Sequence, residues 1–203
     1  MAGAAARAAL AAHRERIARA LAARPARLAE RDEPYHEAAV ALILRPSEAP
    51  EDVELLLVRR AVRAGDPWSG QIGLPGGRFA PVDESLEATA IRETREEVGL
   101  DLPARGVALG ALDELRPRTP VLPPIIVRPF VWAVEGAPAL APNHEIAEAR
   151  WVRLGDLFRP TARVRTEVEV REVRLNVDAF QLGDFTIWGM TERILTTFEE
   201  VWR

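Results

Sequence analysis

Apolar positions along the chain change period several times, and each change marks an element. Leu10, Ile17, Leu21 and Leu28 recur at helical spacing and predict an amphipathic helix over Ala4–Ala23, with Pro25 interrupting the stripe. The segments Ala38–Leu44 and Glu54–Arg60 are rich in Val, Ile and Leu and read as strands joined by the turn Pro46–Glu51. After the Gly/Pro-rich stretch Asp66–Gly77, Ser85–Val98 contains no Gly or Pro and reads as a helix. Pro81 and Asp83 precede this helix and Gly99 follows, as start and stop signals do. Val107–Leu115, Ile125–Val134 and Glu148–Arg153 read as further strands, the first two separated by the proline-rich loop Arg116–Pro124. A turn near Gly155 leads into a helical turn through Leu157. Arg163–Arg174 alternates Val with charged residues, the pattern of a half-exposed hairpin strand. Thr191–Val201 reads as a final helix with Ile194, Leu195, Phe198 and Val201 facing inward. Strands interleaved with two long helices predict an α/β protein with a mixed sheet between helices. The expected organisation is an N-terminal helical extension over 1–34 and one domain over 35–203. The extension would dock on that domain or on a partner subunit, which leaves a homodimer open.

Composition narrows the function. The chain has 203 residues, 48% of them hydrophobic, enough for a packed core. It has no cysteine, which excludes disulfides, thiolate metal sites and a cysteine nucleophile. A net charge of −4 argues against a general nucleic-acid coat. No apolar run reaches the roughly 18 residues of a membrane span. The Ala-rich N-terminus is broken by Arg7, Arg14, Arg16 and Arg19, unlike a secretory signal, so a cytoplasmic protein is expected. All 27 basic residues are Arg, a composition bias as much as a phosphate-binding inventory.

The helix over Ser85–Val98 carries the candidate chemistry. Glu93, Glu96 and Glu97 stand at i, i+3 and i+4 and share a face, with Ile91, Thr94 and Val98 near the opposite, core-facing side. Their like charges repel, and they lie toward the helix C-terminus, where the dipole disfavours anions. A hard dication with oxygen ligands removes both penalties, and Mg²⁺ prefers carboxylates combined with phosphate oxygens and water.

Around them, GGRFAPVDESLEATAIRETREEVGL (Gly76–Leu100) places Glu84, Arg92-Glu93, Glu96-Glu97 and Gly99 at the spacings of a Nudix box, G-x5-E-x7-R-E-U-x-E-E-x-G-U, where U is bulky and apolar. Two departures are visible: six residues separate Gly77 from Glu84, and Thr94 fills an apolar slot. The chain thus resembles the Nudix hydrolases. The resemblance implies an α/β/α sandwich, a Mg²⁺ or Mn²⁺ cofactor, and hydrolysis of a diphosphate in a small nucleoside diphosphate derivative. It implies Glu93, Glu96, Glu97 and the Gly76 carbonyl as metal ligands. Gly77 would let backbone approach the phosphates, and Arg92 would brace the glutamates. Glu84 is left between accessory metal or acid–base work and a plain helix-start charge. Outside the box, Glu145 in APNHEIAEARW is the candidate base, with His144 behind it; a plain loop role stays open for both.

Flanking segments resemble the coenzyme A diphosphatase branch: GDPWSGQIGLPGGR with its Gly70, RPRTPVLPPIIVRPF, and DFTIWGMTERIL. The upstream signature of that branch, LLTxT(S/A)x3Rx3Gx3FPGG, is partly met. Asp66 stands at its arginine, Leu74 at its phenylalanine, and Arg59-Arg60-Ala61-Val62 replaces the Thr-x-Thr-Ser/Ala part. Arg59, Arg60, Arg63 and Arg78 are the candidate substitutes for the missing cation. Trp68 is positioned to stack on a base, whereas Trp132, Trp151, Trp188 and Trp202 fall in apolar patterns that suit core or interface. The expected substrate is coenzyme A or a thioester of it. ADP-ribose or another nucleoside diphosphate derivative is the alternative, and a non-catalytic nucleotide-binding module the alternative of a different class.

Overall fold

The computed structural model describes residues 2–49, 52–63, 65, 68–117, 124–170 and 173–203. Asp66 and the middle of the proline-rich loop, 118–123, lie outside the described residues. The elements, in chain order, are α1 (Ala2–Ala23), β1 (His36–Pro46), β2 (Val53–Arg60), β3 (Ile72–Gly73), β4 (Gly76–Arg78), α2 (Leu86–Val98), α3 (Leu102–Arg105), β5 (Gly106–Ala111), β6 (Ile125–Val134), β7 (Ile146–Arg153), α4 (Leu154–Leu157), β8 (Arg163–Val170), β9 (Val173–Leu182), β10 (Phe185–Trp188) and α5 (Gly189–Trp202).

The centre is a parallel pair, β1 and β6, in register from His36↔Ile125 to Leu44↔Ala133. Both are nearly continuous apolar runs, as expected of strands covered on both faces. Alternate residues go to opposite layers: Ala38, Leu42 and Leu44 to one apolar cluster, Ala39, Ala41 and Ile43 to the other. The first cluster also holds side chains of α1 and α5; the second holds Ala90 and Val98 of α2 and Leu102 of α3. A mixed sheet therefore lies between two helical layers, the expected α/β/α sandwich. β2, β3, β4, β5 and β7 add antiparallel pairings, giving seven strands among the described residues.

The hairpin of β1 and β2 pairs only near its turn, Leu44↔Leu55 to Pro46↔Val53. β7 occupies the far edge of β2 along its whole length. Where β1 and β2 diverge, β3 pairs with β2 and β4 with β1, and the Ala41 amide donates to the Pro75 carbonyl at 2.8 Å. The Gly/Pro-rich approach is thus a wedge held by main-chain bonds, and it delivers Gly76 and Gly77 beside α2.

The other differences from the sequence reading have local causes. Leu28 is 62% exposed rather than part of the helical stripe, because α1 ends at Ala23. The chain after it is tied instead through Arg24 and Arg27 to Asp113 and through Arg31 to Glu114. Leu10, Ile17 and Leu21 are buried in the same cluster as α5, so α1 docks on its own chain. The stretch read as one strand over Arg163–Arg174 is two strands, β8 and β9. With β10 they form a separate three-stranded antiparallel sheet. Phe180, Phe185 and Ile187 seal that sheet onto the α5 side of the core.

Candidate active site

Helix α2 starts and stops where its capping residues dictate. The Ser85 hydroxyl accepts from the Ala88 amide at 3.1 Å, and Gly99 at φ 71° donates its N–H to Arg95 O. Thr94, in the apolar slot of the box, is fully buried, as that position requires. The three glutamates do not share one environment. Glu97 is 2% exposed, Glu93 is half-buried, and Glu96 is at the surface. The 100° step between neighbouring residues turns Glu97 toward the wedge and leaves Glu96 on the rim.

The wedge closes on α2 at two glycines. The Gly76 amide donates to Glu97 Oε2 at 2.9 Å. A Cβ at Gly76 would lie 2.2 Å from the Ala39 carbonyl oxygen, and one at Gly77 would lie 2.4 Å from the carboxyl carbon of Glu93. Only glycine permits both approaches. The loop after β6 is stitched to the end of α2: Ala141 N donates to Val98 O, and Asn143 N to Glu97 O. The Asn143 side chain accepts from the Glu145 amide at 2.7 Å, which orders Glu145 beside the same site.

Arg92 organises the acids from behind. Its Nε and Nη2 donate to the two carboxylate oxygens of Asp83 at 2.8 and 2.9 Å. Nη1 reaches Glu93 at 2.8 Å and Glu96 at 3.1 Å, and Nη2 also reaches the Arg78 carbonyl at 3.2 Å. Asp83 is itself held by the Ala80 amide and the Thr89 hydroxyl, each at 2.9 Å. Hydrogen bonds from Arg92 hold the Asp83 carboxyl well below the usual carboxylate range. Glu84, the residue in register with the box, is exposed.

Glu97 and Glu93 are shifted the other way. Burial pushes Glu97 up to about 7; the Gly76 amide and Arg60, 3.8 Å away, oppose the rise, while Glu93 and Glu145 add to it. Burial raises Glu93 as well, against the pull of Arg92 and with repulsion from Glu96 and Glu145. Two carboxylates held ionised here need positive charge.

Gly76, Gly77, Arg78, Glu93, Glu97 and Glu145 line one cavity of about 620 Å³. Arg92 and Glu96 do not line it. Arg59 and Gly70 line a neighbouring hollow of about 430 Å³ that shares Gln71, Ile72, Val170 and Trp188 with the first. Arg59 is engaged there by Asp184 at 2.5 Å and Glu148 at 3.5 Å. Arg63 is paired to Glu145 at 2.9 Å. His144 is exposed, and its carbonyl accepts from Arg63 at 3.5 Å.

Sequence reasoning missed three contributors. Asp83 stands out in the sequence as a helix-start residue within the extended loop of the box, not as the partner of Arg92. Trp188, read as core or interface, lines the large cavity together with Trp68. Arg193 of α5 lines it too, from the helical layer opposite α2. No local signal marks the last two, because the cavity is assembled from opposite layers.

The donor chemistry fits a hard dication: a buried carboxylate, a half-buried one, a third at the rim and the backbone of Gly76 against them. Among the described residues, no three carboxylate or imidazole groups converge into a finished cation cage. Substrate phosphate oxygens and water are the usual complement for Mg²⁺.

Residues 34–172 match the family described as NUDIX domain. The chain belongs to the Nudix family. It is 36% identical over 119 residues to uncharacterized protein C14C4.10c of Schizosaccharomyces pombe, a match covering 57% of this chain and 36% of that one. It is 29% identical over 169 residues to the uncharacterized Nudix hydrolase NudL of Pectobacterium atrosepticum, covering 80% and 82%. It is also 29% identical over 148 residues to human mitochondrial coenzyme A diphosphatase NUDT8, covering 71% and 60%. A MutT/nudix family protein from Enterococcus faecalis superposes with a TM-score of 0.56 at 21% identity, over 85% of this chain and 64% of that one, a likeness of fold. The chain thus spans less than two thirds of the yeast, human and E. faecalis proteins it matches.

Proposed function

We propose that this protein is a Mg²⁺- or Mn²⁺-dependent diphosphatase that hydrolyses coenzyme A or its thioesters to 3′,5′-ADP and a 4′-phosphopantetheine derivative. The observation that carries the reading is the pair Glu93–Glu97, half-buried and buried respectively, packed against Gly76-Gly77 in the wall of a cavity large enough for a nucleotide. Glu93, Glu96, Glu97 and the Gly76 carbonyl would hold the metal, which supplies charge neutralisation on the phosphoryl oxygens and acidifies bound water. Arg92 keeps Glu93 and Glu96 aimed, and Asp83 keeps Arg92 aimed. Gly77 lets the diphosphate lie close to the chain. Glu145 is the candidate for taking the proton of the attacking water, with Arg63 orienting it.

The rest of the cavity suits the remainder of such a substrate. Val40, Leu74, Val127, Met190 and Ile194 give it an apolar wall for a pantetheine arm or acyl chain, and Trp68 and Trp188 offer aromatic planes for a base. The name of the human relative supports the choice of coenzyme A, as do the flanking segments. Among the described residues no helix is long and apolar enough to cross a membrane. A cytoplasmic site of action is part of the reading, and cell fractionation placing the protein in an organelle would remove it.

Product analysis tests the substrate. Purified protein is incubated with Mg²⁺ or Mn²⁺ and, separately, coenzyme A, dephospho-coenzyme A, ADP-ribose or a dinucleoside polyphosphate. Fastest turnover of coenzyme A, with 3′,5′-ADP released, is the expected result. Preferred cleavage of another compound would keep the chemistry and reject coenzyme A. Nucleotide binding with no metal-dependent turnover would reject the enzyme.

A further inference from the structure

Most of the positive charge around the large cavity is already engaged. Arg60 faces Glu97, Arg63 holds Glu145, and Arg92 is divided between Asp83 and two glutamates. In the adjoining hollow, Arg59 pairs with Asp184, which also holds Arg150. The guanidinium groups of Arg78 and Arg193 differ: both residues line the cavity, and neither group has a hydrogen-bond or ion-pair partner among the described residues.

These two arginines come from different layers. Arg78 follows Gly77, and its carbonyl accepts from Arg92, so it sits at the acidic end, beside the diphosphate of the proposed substrate. Arg193 lies in α5, across the sheet from α2. Ile125, Val127 and Ile194 line the same cavity and belong to the apolar cluster on the α5 side of the sheet, whereas the carboxylates that would hold metal come from α2 on the other side. A ligand that occupies both ends carries its scissile diphosphate at one and a second anion at the other.

We infer that Arg193 reads a phosphate monoester lying outside the scissile diphosphate. A guanidinium is the group suited to it, since its planar fork binds two phosphate oxygens at once. On the coenzyme A reading, on which this assignment of the ligand rests, that group is the 3′-phosphate. It would explain how the chain can have Asp66 where the branch signature has arginine: the cation is supplied from α5, about 127 residues later in the chain.

The test is equilibrium binding, without turnover. 3′,5′-ADP and 5′-AMP, which differ by that one phosphate, are titrated into the full chain in chelator by calorimetry. Wild type should favour 3′,5′-ADP by about tenfold or more, the lower range for a charge-assisted pair. Arg193→Gln should reduce the preference to about twofold or less, and Arg193→Lys should retain part of it. Arg78→Gln should weaken both nucleotides alike. An unchanged preference in Arg193→Gln, a preference lost in Arg78→Gln instead, or no preference in wild type would each overturn the assignment. Failure of the coenzyme A reading itself shows separately, as wild type that releases no 3′,5′-ADP from coenzyme A in Mg²⁺.

Discussion

Replacing Asp83 with Asn should loosen the whole catalytic helix, although Asp83 touches neither metal nor substrate in this account. Its carboxylate is 3% exposed and accepts four hydrogen bonds, two of them from Arg92. Removing one partner of a buried ion pair costs about 3–5 kcal/mol. Here the cost is smaller, because Arg92 is 25% exposed and keeps Glu93, Glu96 and the Arg78 carbonyl. We expect about 2–3 kcal/mol, read as a fall in Tm of about 4–12 °C for a chain of this size. Because Arg92 would then be free to swing, Glu93 loses its orientation and kcat should fall about tenfold to a hundredfold with little change in KM. Glu84→Gln, one residue away but exposed, should stay within about 0.5 kcal/mol of wild type and keep its kcat. Chemical denaturation and steady-state kinetics on the two variants decide the matter. If Asp83→Asn matched wild type, or Glu84→Gln cost as much, the anchoring role assigned to Asp83 would be wrong.

Gly77→Ala should fold but lose activity, because its Cβ meets the movable carboxylate of Glu93; Gly76→Ala should be strongly destabilised, because its Cβ meets the Ala39 backbone. Comparing their melting curves and activities checks this, and equal stability of the two would contradict it. In chelator, Glu97 contributes stability below its unfolded pKa near 4.5 and loses it as pH rises through about 7, since the fold favours its protonated form. Denaturation midpoints should therefore fall between pH 5 and 8 more in wild type than in Glu97→Gln; parallel profiles would refute the shift. Ile17→Ala, at a fully buried position of α1, should cost about 2–4 kcal/mol and no chemistry. A loss below about 0.5 kcal/mol would show that α1 is not docked as described.

Elements with strong local signals were legible. Ile125–Val134 was read with both ends correct, because a strand covered on both faces is one unbroken apolar run. α2 was read to within a residue, since Ser85 and Gly99 cap it. The wedge of β3 and β4 was not legible: it exists through main-chain pairing in a fork opened by two other strands. The second sheet escaped for a related reason, as its alternating residues show a strand but not where the hairpin turns or which core it covers. At the site, the Glu93–Glu97 spacing was visible, but the burial that separates Glu97 from Glu96 was not. Asp83 was overlooked because register with the box favours Glu84. It is Asp83, not Glu84, that the loop before α2 holds against Arg92.

On the proposed function, buried Glu97 and its neighbours would hold a metal that promotes cleavage of a diphosphate. The most direct test is turnover of coenzyme A, across a Mg²⁺ titration, by wild type and Glu97→Gln side by side. Wild type should release 3′,5′-ADP only with metal, and Glu97→Gln should be slower by about a hundredfold or more at saturating Mg²⁺. Metal-independent release, or a Glu97→Gln protein as active as wild type, would show that Glu97 holds no catalytic metal.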